Sequence, residues 1–174
     1  LSQTADPAKR GALVIEMSTG DPLETDRIAA ELAALGLRCM DAPVGRTPRH
    51  AAEGKALIMA GGTADDLAQA RPLFEAMADE IVHVGPLGSA IRLKLVNNYM
   101  SMVGMVLTGE ALMFAAKLGL DRATVVKVLS GTTAGRGQLL TNFPNKVLAG
   151  DITPDFPLRM GYKDIHLAMN LAAS

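Results

Sequence analysis

Lys94, Asn97, Asn98 and Ser101 stand at i, i+3, i+4 and i+7. On an α-helix these positions share one stripe, so an amine, two amides and a hydroxyl would line one side of an otherwise apolar segment. A lysine placed this way can give a proton to a developing alkoxide, or remove one in reverse, while the amides orient a substrate oxygen. The competing reading is a solvated helix face, because lysines on helices are mostly exposed. His83 lies among Ile81, Val82 and Val84 and reads as an exposed or internally bonded strand residue rather than a base. His50, His166 and Cys39 have no metal-ligand spacing with one another or with paired carboxylates, so no metal is expected.

The elements that must hold these residues follow from the hydrophobic pattern. Residues 12–17 form a short apolar, β-branched run ending at Ser18-Thr19-Gly20. Asp21 then suits an N-cap, Pro22 the first helical position and Glu24 the capping-box position. Ile28, Leu32 and Leu35 keep helical spacing up to Gly36, a C-cap, and residues 37–42 read as the next strand. A third strand at 56–60, a helix at 64–77 and a fourth strand at 81–84 continue the alternation, which predicts a Rossmann-type α/β sheet with helices packed on it. After Gly85 the strands stop. Residues 89–118 hold no proline and predict a helix roughly 45 Å long, enough to cross from one domain to another. Asp121 caps a further helix through Leu129, a glycine-rich turn covers 131–137, and helices follow near 139–148 and 158–173. The expected organisation is a later portion of a nucleotide-binding domain over 1–87 and an all-α domain over 88–174.

Bulk composition narrows the partners. A chain of 174 residues, 49% hydrophobic and 20% charged, can bury a sizeable core. Its formal charge of −1 supplies no basic field for nucleic acid, so a small molecule is the favoured partner. The single cysteine makes no internal disulfide, and no uninterrupted run of 18 apolar residues or signal-peptide pattern occurs. The reading is cytoplasmic with no membrane partner. Met100, Met102, Met105 and Met113 suit packing on the long helix or at a subunit interface. The chain opens with Leu1 and is already entering a strand by Gly11, as a piece of a longer protein would.

Lys94-Leu95-Val96-Asn97-Asn98, following the turn Gly85-Pro86-Leu87-Gly88, resembles the catalytic motif of the 3-hydroxyisobutyrate dehydrogenase, or β-hydroxyacid dehydrogenase, family. Asp41-Ala42-Pro43-Val44-Gly45, Glu16-Met17-Ser18-Thr19, Met59-Ala60-Gly61-Gly62 and Tyr162-Lys163-Asp164 are similar to further motifs of that family, in the same order and at similar spacing. The resemblance implies that Lys94 is catalytic and that Asn97 and Asn98, with Ser101 a turn further, lie at the substrate. It also implies that Thr19 borders the nicotinamide ribose and that Lys163 reaches the cofactor from the helical domain. The cofactor it implies is NAD, with NADP equally compatible, and the assembly a homodimer or homotetramer.

Two departures from the family pattern bear on function. The family opens on a strand and a G-x-G-x-x-G turn that seats the pyrophosphate on a helix N-terminus, and nothing before Ala12 supplies one. Gly85-Pro86-Leu87-Gly88 is no substitute, since Pro86 lacks an amide proton. The family also continues past Ser174, and the 174 residues alone are expected to hold a dinucleotide weakly. The second departure is Gly45-Arg46-Thr47, where ordinary members carry Ser-Gly-Gly or another small trio. An arginine there offers a fixed charge and a donor fork for a tetrahedral or planar anion. The segment resembles the branch of the family that reduces 3-sulfolactaldehyde to 2,3-dihydroxypropane-1-sulfonate, as do Ile91-Arg92, Asn98-Tyr99-Met100-Ser101 and the stretch 143–148. Alternatives are a small-anion reductase acting on tartronate semialdehyde, succinate semialdehyde or 3-hydroxyisobutyrate, and a surface role for Arg46. A 6-phosphogluconate-type enzyme would show a His-Asn pair where Asn97-Asn98 stands. A rival of another class is a non-catalytic helical protein whose long helix serves only dimerisation.

Overall fold

A computed structural model describes residues 11–173. The chain divides into two compact units, one running through Met102 and the other beginning at Val103.

The first unit is built on a five-stranded sheet. Strand β1 (Leu13–Glu16) leads into helix α1 (Pro22–Ala34), and β2 (Arg38–Asp41) returns parallel to β1. Helix α1 starts as its sequence dictates, with the Asp21 carboxylate accepting from the Leu23 amide at 2.9 Å and Pro22 at the first position. Glu24 does not close a capping box. Its carboxylate is taken by Arg27 one turn on, at 2.8 Å, a stronger partner than a backbone amide. The helix ends at Gly36, whose φ of 74° lets its amide reach Ala33 O and the Leu37 amide reach Leu32 O, both at 2.9 Å. This paired arrangement satisfies the last carbonyls and is open to glycine at little cost.

Two short elements went unread in the sequence, β3 (Val44–Gly45) and α2 (Pro48–Ala52). Strand β4 (Ala56–Gly61) runs antiparallel to both β2 and β3, with Asp41 opposite Gly61, Val44 opposite Ile58 and Gly45 opposite Leu57. These pairs share one register, so β2 and β3 are two pieces of a single strand interrupted at Ala42-Pro43. Pro43 cannot donate to the ladder, but its carbonyl accepts from Met59 N at 3.1 Å. Helix α3 (Ala64–Glu75) then crosses to β5 (Ala78–Gly85), which is parallel to β4. The sheet is therefore mixed.

Apolar burial fixes the layer order. All of β4 except Leu57 is buried, as suits a central strand with an unbroken apolar run. Met40, Ile58 and Phe74 are fully buried and pack with Ala42, Ala60, Leu67 and Ala70, so α3 lies against the centre of the sheet. Thr63 caps α3 by accepting from the Asp66 amide at 3.1 Å.

Helix α4 (Ser89–Lys117) begins in the first unit and ends in the second. The second unit continues with α5 (Arg122–Gly131), α6 (Thr133–Arg136) and α7 (Leu158–Ala173), joined by a 3₁₀ turn at Gln138–Leu140 and a π turn at Phe143–Val147. Asp121 caps α5 through the Thr124 amide at 2.8 Å. The glycine-rich stretch expected to be a turn is largely helical. Extended Thr132 interrupts the backbone once, and Gly135 lets α6 fold back onto the Leu129 carbonyl, where a Cβ would collide. The helix expected near 139–148 is replaced by the 3₁₀ and π turns. Pro144 removes one amide from the ladder, and the Leu148 amide bonds Phe143 O at 2.9 Å, five residues back.

Gly61 is the tightest junction in the first unit. A Cβ there would collide with Asp41 Oδ1 and sit 3.0 Å from Pro86 O. Gly61→Ala is expected to cost about 1–3 kcal/mol in urea unfolding, the usual penalty of overpacking. Gly104→Ala on α4, with open space around it, should be neutral or stabilising by up to about 1 kcal/mol, and equal effects at the two sites would deny the Gly61 contact any energetic weight.

Candidate active site

The first turn of α4 is held from the sheet by one side chain. Asp41, the last residue of β2, is fully buried. Its Oδ1 accepts from the Gly88 amide and its Oδ2 from the Ile91 amide, each at 2.7 Å. Helix N-termini leave such amides unsatisfied and carry partial positive charge, so the carboxylate supplies from a distant strand the cap that Gly88 lacks. Gly88 sits at φ 84°, which brings the chain into the helix, and the Ser89 hydroxyl donates back to Pro86 O at 2.5 Å. Arg92 adds an exposed tie, donating to Asp26 Oδ2 at 2.7 Å and to Gly88 O at 2.9 Å. The Arg92 fork holds the Asp26 carboxyl below the usual carboxylate range.

Lys94 follows one turn after Ile91 and is 9% exposed. No hydrogen bond or ion pair engages its ammonium among the described residues. The lysine stem is packed while the ammonium still reaches solvent, which leaves it accessible to a polar oxygen. Asn97 and Asn98 lie on the next turn and are linked, Asn97 Nδ2 donating to Asn98 Oδ1 at 3.3 Å, and Ser101 is exposed one turn beyond. The stripe expected from the spacing is thus present on α4, within the first unit, with only its lysine buried.

The loop after β2 is arranged differently. Gly45 is a buried β3 residue against Leu57, where a Cβ would come within 3.3 Å of Leu57 Cδ2. Arg46 has φ 68°, the only non-glycine with positive φ among the described residues. That conformation costs a residue with a Cβ roughly 1–2 kcal/mol. The guanidinium donates to Lys55 O at 2.8 Å, to Glu80 Oε2 at 2.7 Å and to the Asp79 carboxylate. Those acids hold its proton more tightly than usual, Asp79 first. None of these partners belongs to the stripe on α4. Thr47 is exposed at the start of α2, its hydroxyl 2.7 Å from His50 Nδ1.

At the carboxyl end of β1, Glu16 Oε1 accepts from the Ser18 amide at 2.7 Å and from the Ser18 hydroxyl, which lowers the Glu16 pKa. This closes the turn and leaves Thr19 exposed, with no hydrogen bond among the described residues. Its hydroxyl is open to a ligand, at the strand end where nucleotide-binding sheets place theirs. Lys163 is half-exposed on α7 in the second unit, 3.0 Å from Asp164. His83 is internally bonded, Nε2 lying 2.9 Å from Gly62 O. An apolar cavity of about 480 Å³ lies in the second unit against Phe114, Leu118, Leu120 and Val125, but it holds no reactive group beyond Asp121 and Thr124, already bonded to each other.

Asp41 is the residue at this junction to which sequence reasoning gave no individual role. The signal was present, since an acid closing an apolar strand just before Ala-Pro must find buried donors.

A largely buried lysine followed by paired asparagines, on a helix that leaves an α/β sheet, is the arrangement the dehydrogenase resemblance implies, and comparison with known proteins gives the class. Residues 88–174 match the sequence model described as NAD-binding of NADP-dependent 3-hydroxyisobutyrate dehydrogenase, and residues 2–85 that of the NAD binding domain of 6-phosphogluconate dehydrogenase. The chain is 45% identical over 161 residues to 3-sulfolactaldehyde reductase of Escherichia coli, covering 92% of this chain and 54% of that protein. It is 31% identical over 163 residues to 2-hydroxy-3-oxopropionate reductase of the same organism, covering 94% and 56%. Among solved structures it is similar to Mycobacterium tuberculosis 3-hydroxyisobutyrate dehydrogenase with L-serine, with TM-score 0.69, 31% identity, and 94% and 59% of the two chains covered. The chain belongs to the 3-hydroxyisobutyrate dehydrogenase family of NAD-binding proteins. It spans just over half the length of the relatives it matches.

Helix α4 has an 18-residue window of mean hydropathy 1.4, long and apolar enough by composition to cross a membrane. Its polar first turns carry the family's motif, and family membership makes it a packing helix of an enzyme fold.

The Asp26–Arg92 pair gives a titration with a defined sign. Because the Asp26 carboxyl is depressed in the fold, its contribution to stability is complete above the unfolded value of about 3.9 and is lost as pH falls through the folded value. Arg92→Leu should return the Asp26 titration, followed by carboxyl NMR, to about 3.9 and remove that acid-side loss. An unchanged Asp26 titration in the variant would contradict the assignment of Arg92 as the cause.

Proposed function

We propose that the enzyme containing this chain reduces 3-sulfolactaldehyde to 2,3-dihydroxypropane-1-sulfonate with NADH, and catalyses the reverse oxidation. NADP is not distinguished by these residues. The chemistry rests on Lys94, a largely buried residue whose ammonium has no hydrogen-bond partner among the described residues, beside two amides on one helix stripe. When bound, the nicotinamide supplies the hydride to the aldehyde carbon. Lys94 holds the proton that the developing alkoxide takes, and Asn97, Asn98 and Ser101 orient the substrate's oxygens. Thr19 would border the nicotinamide ribose and Lys163 would contribute from the helical unit.

The choice of substrate is supported by the 45% identity to a 3-sulfolactaldehyde reductase and by Arg46. Ordinary relatives resembling this family place a small residue, often glycine, where Arg46 adopts φ 68°. Backbone strain at a charged loop residue is a feature that clusters at ligand-binding sites. With Gly45 and Thr47 it would form the subsite for the sulfonate, exchanging the carboxylates of Asp79 and Glu80 for the substrate's anion. A second reading is favoured by those same ion pairs: Arg46 is a clamp between the loop and β5, and the substrate is tartronate semialdehyde, succinate semialdehyde or 3-hydroxyisobutyrate. The family match argues against a non-catalytic helical protein. We further propose a cytoplasmic homodimer or homotetramer, with exposed Met100, Met102, Met105 and Val106 of α4 in the contact, and a division of domains at 87/88.

Lys94→Ala is expected to lower kcat by roughly 10² to 10⁴ with little change in NADH affinity, as measured by steady-state kinetics and calorimetry. Near-normal turnover would remove Lys94 from the mechanism. Arg46→Gly relieves the backbone strain and should fold well, yet kcat/KM for 3-sulfolactaldehyde should fall about tenfold to a hundredfold while an uncharged aldehyde of similar size is spared. Arg46→Lys should recover only part of the loss. Equal slowing of both aldehydes would establish the clamp and end the argument for a sulfonate.

A further inference from the structure

We propose that Asp41 is a positioning residue for Lys94, setting where the lysine stands relative to the sheet that carries the cofactor. The proposal rests on the reading that Lys94 transfers the proton. Asp41 grips the α4 backbone at two amides three residues apart, Gly88 and Ile91, and Lys94 follows Ile91 by three more. Two bonds from one rigid carboxylate fix both the rotation of the first turn about its axis and its distance from the strand. A single bond would fix neither. Each residue of helix corresponds to 1.5 Å of rise and about 100° of turn, so a small slip at Ile91 carries the Lys94 ammonium away from its mark.

The surroundings are shaped to keep this grip rigid. Gly61 stands opposite Asp41 without a Cβ, because one would strike Oδ1. Gly88 takes φ 84° to present its amide. The other ties on the first turn are weaker, since Arg92–Asp26 is solvent-exposed and Ser89–Pro86 lies within the turn itself. Asp41 also ends β2, which pairs residue by residue with β1, the strand leading to Thr19. One side chain therefore links the nicotinamide end of the sheet to the proton-bearing helix. Misplacement by about 1 Å between reacting groups can cost on the order of a hundredfold in rate.

A double-mutant cycle in the whole enzyme tests this. Asp41→Asn keeps the shape but turns an amide N–H toward one of the two backbone donors. It should lower kcat by about tenfold to a hundredfold while NADH affinity and the aldehyde KM stay within about threefold. In a Lys94→Ala background the same change should alter the residual rate by less than about twofold, because the group being positioned is gone. Gly61→Ala, which displaces the carboxylate without touching its charge, should show the same dependence on Lys94 and serves where Asp41→Asn does not fold. Equal losses in both backgrounds, or a loss confined to KM or NADH affinity, would overturn the positioning role. Normal turnover of Lys94→Ala by itself would instead overturn the mechanism on which the proposal rests.

Discussion

The structure depends on a buried carboxylate meeting the start of a helix. Burying an ionised acid is strongly unfavourable unless donors surround it, and leaving helix amides unpaired away from water is also unfavourable. Asp41 and the first turn of α4 resolve both problems at once, through two 2.7 Å bonds. Much of the local sequence is then constrained. Gly61 must lack a Cβ and Gly88 must reach positive φ.

Arg46 ties its loop to β5 with one side chain. Its backbone is strained, and its guanidinium is satisfied by Asp79, Glu80 and Lys55 O. These contacts are partly exposed, where ion pairs contribute little.

Lysine burial and helix hydropathy are related features of α4. The helix is apolar on more than one face, so a lysine in its second turn is shielded by the packing of the first unit while its later methionines stay exposed. The same apolarity that would suit a membrane by composition alone here surrounds a polar stripe.

Local elements, and the candidate residues for chemistry, were legible in the sequence. Asp21 and Gly36 fixed the ends of α1, Asp121 the start of α5, and the 94–101 spacing put the lysine and asparagines on one stripe, because caps and periodicity act over a few residues. Resemblance to the family supplied roles for Lys94, Thr19 and Lys163 that spacing could not. The folded chain added that β2 and β3 form one interrupted strand antiparallel to β4, that Glu24 prefers Arg27 to its own backbone, and that π geometry at Phe143–Val147 replaces an expected helix. It alone revealed Asp41 at the foot of α4 and Arg46 in the grip of β5. Those pairings join residues more than thirty positions apart, and their energies come from burial and from which donors remain unsatisfied, quantities that exist only once the chain has closed on itself.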